Sequence, residues 1–122
     1  MGVALGPVHV AVFASGRGTN LGALLVAERE ERLGARIALV VSDCAAAPAL
    51  ERARAAGKPT LLVDPGPSPS RLSEACEAAL VEALAARGIG LVALAGFMRL
   101  VGRPLLAAYP MRILNVHPSL LP

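Results

Sequence analysis

Short apolar runs alternate along the chain with stretches in which apolar residues return every three or four positions. The runs are residues 8–14 (VHVAVFA), 36–42 (RIALVVS), 60–63 (TLLV), 90–95 (GLVALA) and 112–117 (RILNVH). Each has the length of a strand, and runs that are apolar on both faces suit a buried parallel sheet. The last run is read as buried as well. Pro118 should end it, because proline cannot donate to a ladder.

The stretches between the runs have helical spacing. Leu21, Leu24 and Leu25 predict a helix that begins near Thr19 or Asn20, both suited to the N-cap. Pro48 fits a first helical position, with Leu50 and Ala53 turned to one side, Glu51 and Arg54 to the other, and Gly57 as the stop. A longer helix is predicted from Arg71 to about Arg87. Leu72, Cys76, Ala79, Leu80 and Ala83 form its apolar stripe, and Glu74, Glu77 and Glu82 face water. A short helix over residues 104–108 precedes the final strand. Residues 64–70 (DPGPSPS) read as a loop inside one domain, not a linker.

Strands alternating with helices predict an α/β fold: a Rossmann-like, doubly wound, mostly parallel sheet with helices on both faces. Composition agrees with one domain, residues 1–122. The chain has 122 residues, 55% of them hydrophobic, and a mean hydropathy of +0.60, far from a disordered composition. Aromatics are only 2%, so Ala, Leu and Val must build the core. The formal charge of +3 suits small anionic ligands. Lys and Arg are scattered without stacking aromatics, so nucleic acid is not an expected partner. No apolar run approaches the ~18 residues of a membrane span, and the N-terminus lacks the basic start of a secretory signal. Cys44 and Cys76 have no metal-ligand spacing around them. Two free buried thiols in a reducing cytoplasm, with no metal, are the expectation.

Two stretches carry candidate chemistry. Ser15-Gly16-Arg17-Gly18-Thr19-Asn20 follows a strand and opens a helix, the layout in which backbone N–H groups and the helix dipole face an anion. An ordinary strand-to-helix turn would look similar. Leu21 stands where a third glycine would complete a dinucleotide fingerprint, so a single phosphate fits better than a pyrophosphate. At the other end, Asn115 and His117 lie two apart on a strand and should project together. Pro118 keeps His117 extended. A carboxamide and an imidazole can stabilise an oxyanion and move a proton, although Asn-x-His alone also fits a plain strand end.

Three segments together, Ser15–Leu21 (SGRGTNL), residues 94–99 (LAGFMR) and residues 114–122 (LNVHPSLLP), give the chain a closer likeness. In order and rough spacing it resembles the phosphoribosylglycinamide formyltransferase family, from Val8 onward. The resemblance implies transfer of a formyl group from 10-formyltetrahydrofolate, a co-substrate, to the amine of phosphoribosylglycinamide in purine synthesis. It implies that Gly18, Thr19 and Asn20 hold the substrate phosphate, with Thr19 where serine is commoner. It places Met98, Arg99, Leu100 and Val101 along the folate, together with Asn115 and, after allowing for two extra residues, Arg71. Asn115 and His117 become the catalytic pair. A downstream aspartate, the final strands and a loop over the folate would lie beyond Pro122. The chain then reads as an N-terminal part, impaired or inactive alone. A homodimer stays open. The rivals are a nicotinamide-dependent oxidoreductase with Asp43 on a ribose, a non-catalytic phosphate-binding module, and a formyltetrahydrofolate hydrolase.

Overall fold

The structure, a computed structural model, describes residues 7–116. Nine elements follow in order: β1 (Val8–Phe13), α1 (Thr19–Arg29), β2 (Ala35–Ser42), α2 (Pro48–Ala55), β3 (Thr60–Leu62), α3 (Glu74–Ala86), β4 (Leu91–Leu94), α4 (Arg103–Ala108) and β5 (Ile113–Asn115). The strands form one sheet in the order β3-β2-β1-β4-β5, and every pairing is parallel. The chain winds outward one way from β1 to β3, then crosses back to β4 and β5. The β1–β4 boundary is therefore the switch point of a doubly wound sheet.

Two apolar layers cover the two faces. Leu21 and Leu24 of α1 and Ala49 and Ala53 of α2 pack on Val10, Val12, Ile37 and Val40. Leu80 and Leu84 of α3, Leu105 of α4 and Tyr109 just after it pack on Ala11, Phe13, Leu39 and Val41. The alternation in β2 breaks at Ala38, where the register against β1 shifts between Val10 and Ala11. This bulge leaves Ala38 and Leu39 on one face and returns Val40 to the other. Without it, Ile37 and Leu39 would point the same way.

Several expectations need correction. The N-cap of α1 is Gly18, in the left-handed region at φ 79°, and it makes no side-chain cap. Neither Thr19 nor Asn20 takes that position, because the turn needs a positive φ that a β-branched residue resists. Helix α3 starts three residues after Arg71. Ser73 caps it by accepting from Cys76 N–H at 3.0 Å, and Ala79 on its predicted inner stripe is exposed. Among the described residues β5 lies at the edge of the sheet and is less covered than expected: Leu114 is 49% exposed and Ile113 only half-buried. Cys44 is exposed, and only Cys76 is a buried thiol. The predicted stop of β5 at Pro118 lies outside the described residues.

Glu77 is the largest departure. It was expected to face water but is 2% exposed. Its Oε2 accepts from Gly102 N–H at 2.7 Å and its Oε1 from Leu105 N–H at 3.1 Å. A buried carboxylate is tolerated there because it caps α4, whose first N–H groups lack helical partners. Its place three residues before Leu80 and seven before Leu84 already puts it on the inner stripe.

Glu77→Ala removes both acceptors and leaves two N–H groups without partners. It is expected to lower unfolding free energy by roughly 2–3 kcal/mol in urea titration; a loss no greater than an exposed-site substitution would contradict the capping role. Burial, and then the neighbouring Glu77 charge, push the Cys76 thiol above its ordinary range. Iodoacetamide should therefore modify Cys44 well before Cys76 in the folded protein, read by peptide mass spectrometry, with the difference disappearing in urea.

Candidate active site at the carboxyl rim

With all strands parallel, the loops after β1, β4 and β5 share one rim. The loop after β1 is pressed against α2. A Cβ on Gly18 would sit 2.7 Å from Ala49 Cα and 2.9 Å from Ala49 Cβ. Arg52 reaches across from α2 and donates through Nε to the Arg17 carbonyl at 3.0 Å. The first helical bond of α1 runs from Gly22 N–H to Gly18 O at 2.7 Å, so the N–H groups of Thr19, Asn20 and Leu21 have no helical acceptor. Thr19 and Asn20 border a cleft of about 90 Å³, lined by residues 16–20 on one side and Ala95 and Gly96 on the other. That is well below the ~300–1,000 Å³ of a pocket enclosing a whole ligand. It fits one small anionic group, and Arg17 and Thr19 stand exposed beside it.

Asn20 links this turn to the end of β5. Its Nδ2 donates to the Val116 carbonyl at 3.2 Å, while Val116 N–H donates to Leu94 O at 2.9 Å. Asn115, paired with Leu94 in the ladder, is exposed at the strand end, one residue from that contact. Asn20 thus presents its backbone N–H to the cleft and commits its carboxamide to β5. His117, the other half of the predicted pair, lies outside the described residues.

The segment after β4 forms the third side. Phe97 packs edge-on against Phe13, with ring centroids 5.4 Å apart and planes at 74°. Met98 N–H donates to Ser15 Oγ at 2.9 Å. Arg99 donates through Nε to Asp43 Oδ2 at 2.6 Å and through Nη1 to the Ser68 carbonyl. Leu100 N–H bonds Ser70 O at 2.9 Å, and Leu72 N–H bonds Leu100 O at 3.1 Å. This backbone exchange makes an isolated bridge between Arg71 and Leu100, so Arg71 does adjoin the predicted folate segment. Met98 and Leu100 point outward, 76% and 63% exposed, an apolar strip suited to a flat ring system. Val101 turns back into the core.

The rim therefore brings together Gly18, Thr19, Asn20, Asn115, Met98, Arg99, Leu100, Val101 and Arg71. Sequence reasoning missed Ser15, Asp43, Ser68 and Glu77 as the groups that hold the rim in place. The oxidoreductase rival gives Asp43 a ribose to bind. Its carboxylate is instead paired with Arg99, and its side chain is 7% exposed. Among the described residues no cluster of His, Cys, Asp and Glu could hold a metal ion, and no helix is long and apolar enough to cross a membrane.

Sheet order, helices on both faces and a cleft at the switch point define the class: a doubly wound α/β domain that binds its ligands at the carboxyl rim. The formyl transferase family matches residues 8–122, and the chain belongs to that family. It is 44% identical over 112 residues to phosphoribosylglycinamide formyltransferase of Bacillus subtilis (strain 168), covering 92% of this chain and 56% of that protein. It is 39% identical over 114 residues to the trifunctional purine biosynthetic protein adenosine-3 of Homo sapiens, covering 93% of this chain and 11% of that one. Among solved structures, glycinamide ribonucleotide transformylase 1 from Symbiobacterium toebii superposes with a TM-score of 0.81 at 50% identity, covering 91% of this chain and 51% of that one. The chain spans about half the length of the Bacillus relative.

Gly18 and Gly16 make opposite predictions. A Cβ at Gly18 meets backbone at a position with φ +79°, whereas a Cβ at Gly16 meets nothing within 4 Å. Gly18→Ala should cost roughly 1–3 kcal/mol of stability and Gly16→Ala under about 0.5 kcal/mol, measured by urea unfolding. Equal losses would mean the turn is not pressed against α2.

Proposed function

We propose that this chain carries the substrate rim of an enzyme that transfers a formyl group from 10-formyltetrahydrofolate to the amine of phosphoribosylglycinamide, a step of purine biosynthesis. The observation that carries the reading is the Asn20–Val116 hydrogen bond. It ties an anion-cradling turn to the strand end bearing Asn115, within reach of one sugar phosphate. The family membership and the likeness to phosphoribosylglycinamide formyltransferase of Bacillus subtilis support the same reaction.

In this reading the N–H groups at Gly18, Thr19 and Asn20 take the ribonucleotide phosphate, favoured by the helix dipole. The folate lies along Met98, Arg99, Leu100 and Val101, with Arg71, bridged to Leu100, beside it. The glycinamide nitrogen attacks the formyl carbon and a C–N bond forms. The carbonyl oxygen takes negative charge, and the Asn115 carboxamide and the His117 imidazole donate to it. The bond from formyl carbon to folate nitrogen then breaks, and His117 carries the proton lost by the amine to that nitrogen. Fixed donors aimed at a developing charge are usually the largest single catalytic contribution. A chain about half as long as its Bacillus relative is expected to turn over slowly alone, so single-turnover conditions with protein in excess suit the assay.

Asn115→Ala and His117→Ala should each slow formyl transfer by roughly 10²–10³-fold, while ribonucleotide affinity changes less than about two-fold. Product is followed as formyl-ribonucleotide, with free formate measured alongside. Near-normal rates in either variant would remove that residue from the mechanism, and formate as the main product would favour the hydrolase.

A further inference from the structure

We propose that Asp43 is a positioning residue for the folate side of the rim: acting only through Arg99, it holds residues 97–101 so that Met98 and Leu100 face outward. The proposal rests on the folate reading given above and adds to it a residue that touches neither substrate.

The geometry is specific. Arg99 belongs to the loop between β4 and α4, Asp43 to the loop after β2, and Ser68 to the loop after β3. One guanidinium joins all three, with Nε on Asp43 Oδ2 and Nη1 on the Ser68 carbonyl. The two donors diverge to separate partners, a span that a planar fork makes and a lysine ammonium cannot copy. Both side chains are largely withdrawn from water, 19% exposed for Arg99 and 7% for Asp43. Asp43 Oδ1 is buried without a hydrogen-bond partner, so the carboxylate is engaged through Oδ2, on Arg99. A buried carboxylate with a single cationic partner is strongly coupled to it, since removing either leaves the other uncompensated.

The consequence follows from the alternation along the segment. Phe97 and Val101 turn into the core, and Arg99, between them, is drawn inward by the ion pair. Met98 and Leu100 are thereby forced outward. If Arg99 swings free, the segment keeps its backbone bonds at Met98 and Leu100 but loses the side-chain tie between them that joins it to the loops after β2 and β3. The Arg99 guanidinium, already engaged twice, then serves the ligand through the backbone and side chains of its neighbours rather than by capturing a carboxylate itself.

The test uses the 122-residue chain and its variants Asp43→Asn, Arg99→Met and the pair combined. It measures affinity for a 5,8-dideazafolate analogue, affinity for phosphoribosylglycinamide, and amide hydrogen exchange at residues 98–102. Asp43→Asn should weaken the folate analogue roughly ten- to hundred-fold and speed exchange at Met98 and Leu100, while ribonucleotide affinity is held. The double variant should be no worse than the poorer single one. If Arg99 binds the ligand directly, Asp43→Asn leaves the analogue's affinity equal or better and only Arg99→Met loses it, which overturns the proposal. Loss of affinity with unchanged exchange makes Asp43 a ligand contact and overturns it too. Unchanged exchange in every variant sinks the clamp outright. No analogue binding by the wild-type chain, with the exchange effect intact, sinks the folate reading and leaves the clamp standing.

Discussion

All five strands run the same way, and that constraint organises the rest. A parallel neighbour cannot be reached by a tight turn, so each strand is followed by a crossover over one face. Every strand then delivers its carboxyl end to one rim, and every loop that could carry chemistry starts there. The winding reverses once, between β1 and β4, which opens a gap that neither neighbour's helix covers. The cleft between residues 16–20 and Gly96 is that gap. The site is thus a product of strand direction before any particular side chain is considered.

Strand direction places the loops but does not fix their shape. Here that depends on a few polar contacts beneath them, made where water is largely excluded and each bond is correspondingly consequential. Asn20 holds the end of β5. Ser15 holds Met98. Asp43 and Ser68 hold Arg99, and Glu77 holds the start of α4, just after the segment that follows β4. The two sides differ in kind. The anion side is built from backbone, with glycine needed at residue 18 because α2 lies against it. The opposite side is built from side chains that reach between loops far apart in sequence.

That difference explains what the sequence made legible. Apolar runs and helical spacing located all nine elements to within a few residues, because burial on a two-faced sheet leaves a local, periodic trace. The glycine turn was visible for the same reason: its signal lies within six neighbouring residues. Long-range polar partners leave no such trace. Arg99 and Asp43 are 56 residues apart, and Asn20 and Val116 are 96 apart. Glutamate at 77 and aspartate at 43 look like solvated charges until the fold brings N–H groups or a guanidinium to them. The exposure of β5 is equally illegible, because apolar composition reports hydrophobicity and not position in the sheet, and among the described residues β5 stands at its edge.

The contrast between backbone and side-chain construction also bears on how such a rim can vary. In the proposed reading a phosphate is met by N–H groups that every residue type supplies, so the turn depends on the φ at residue 18 more than on the side chain at residue 19. A flat, mostly apolar ligand offers few charges for backbone to grip. Its binding strip must instead be turned to face it, and that takes side chains anchored from behind. Phe97 on Phe13 supplies an apolar anchor, and Arg99 on Asp43 a polar one on the same short segment. An apolar anchor is non-directional, and the backbone bonds at Met98 and Leu100 hold the chain without turning the side chain between them. The ion pair fixes its register, because a guanidinium bonded to two separate acceptors has one position in which both bonds are made.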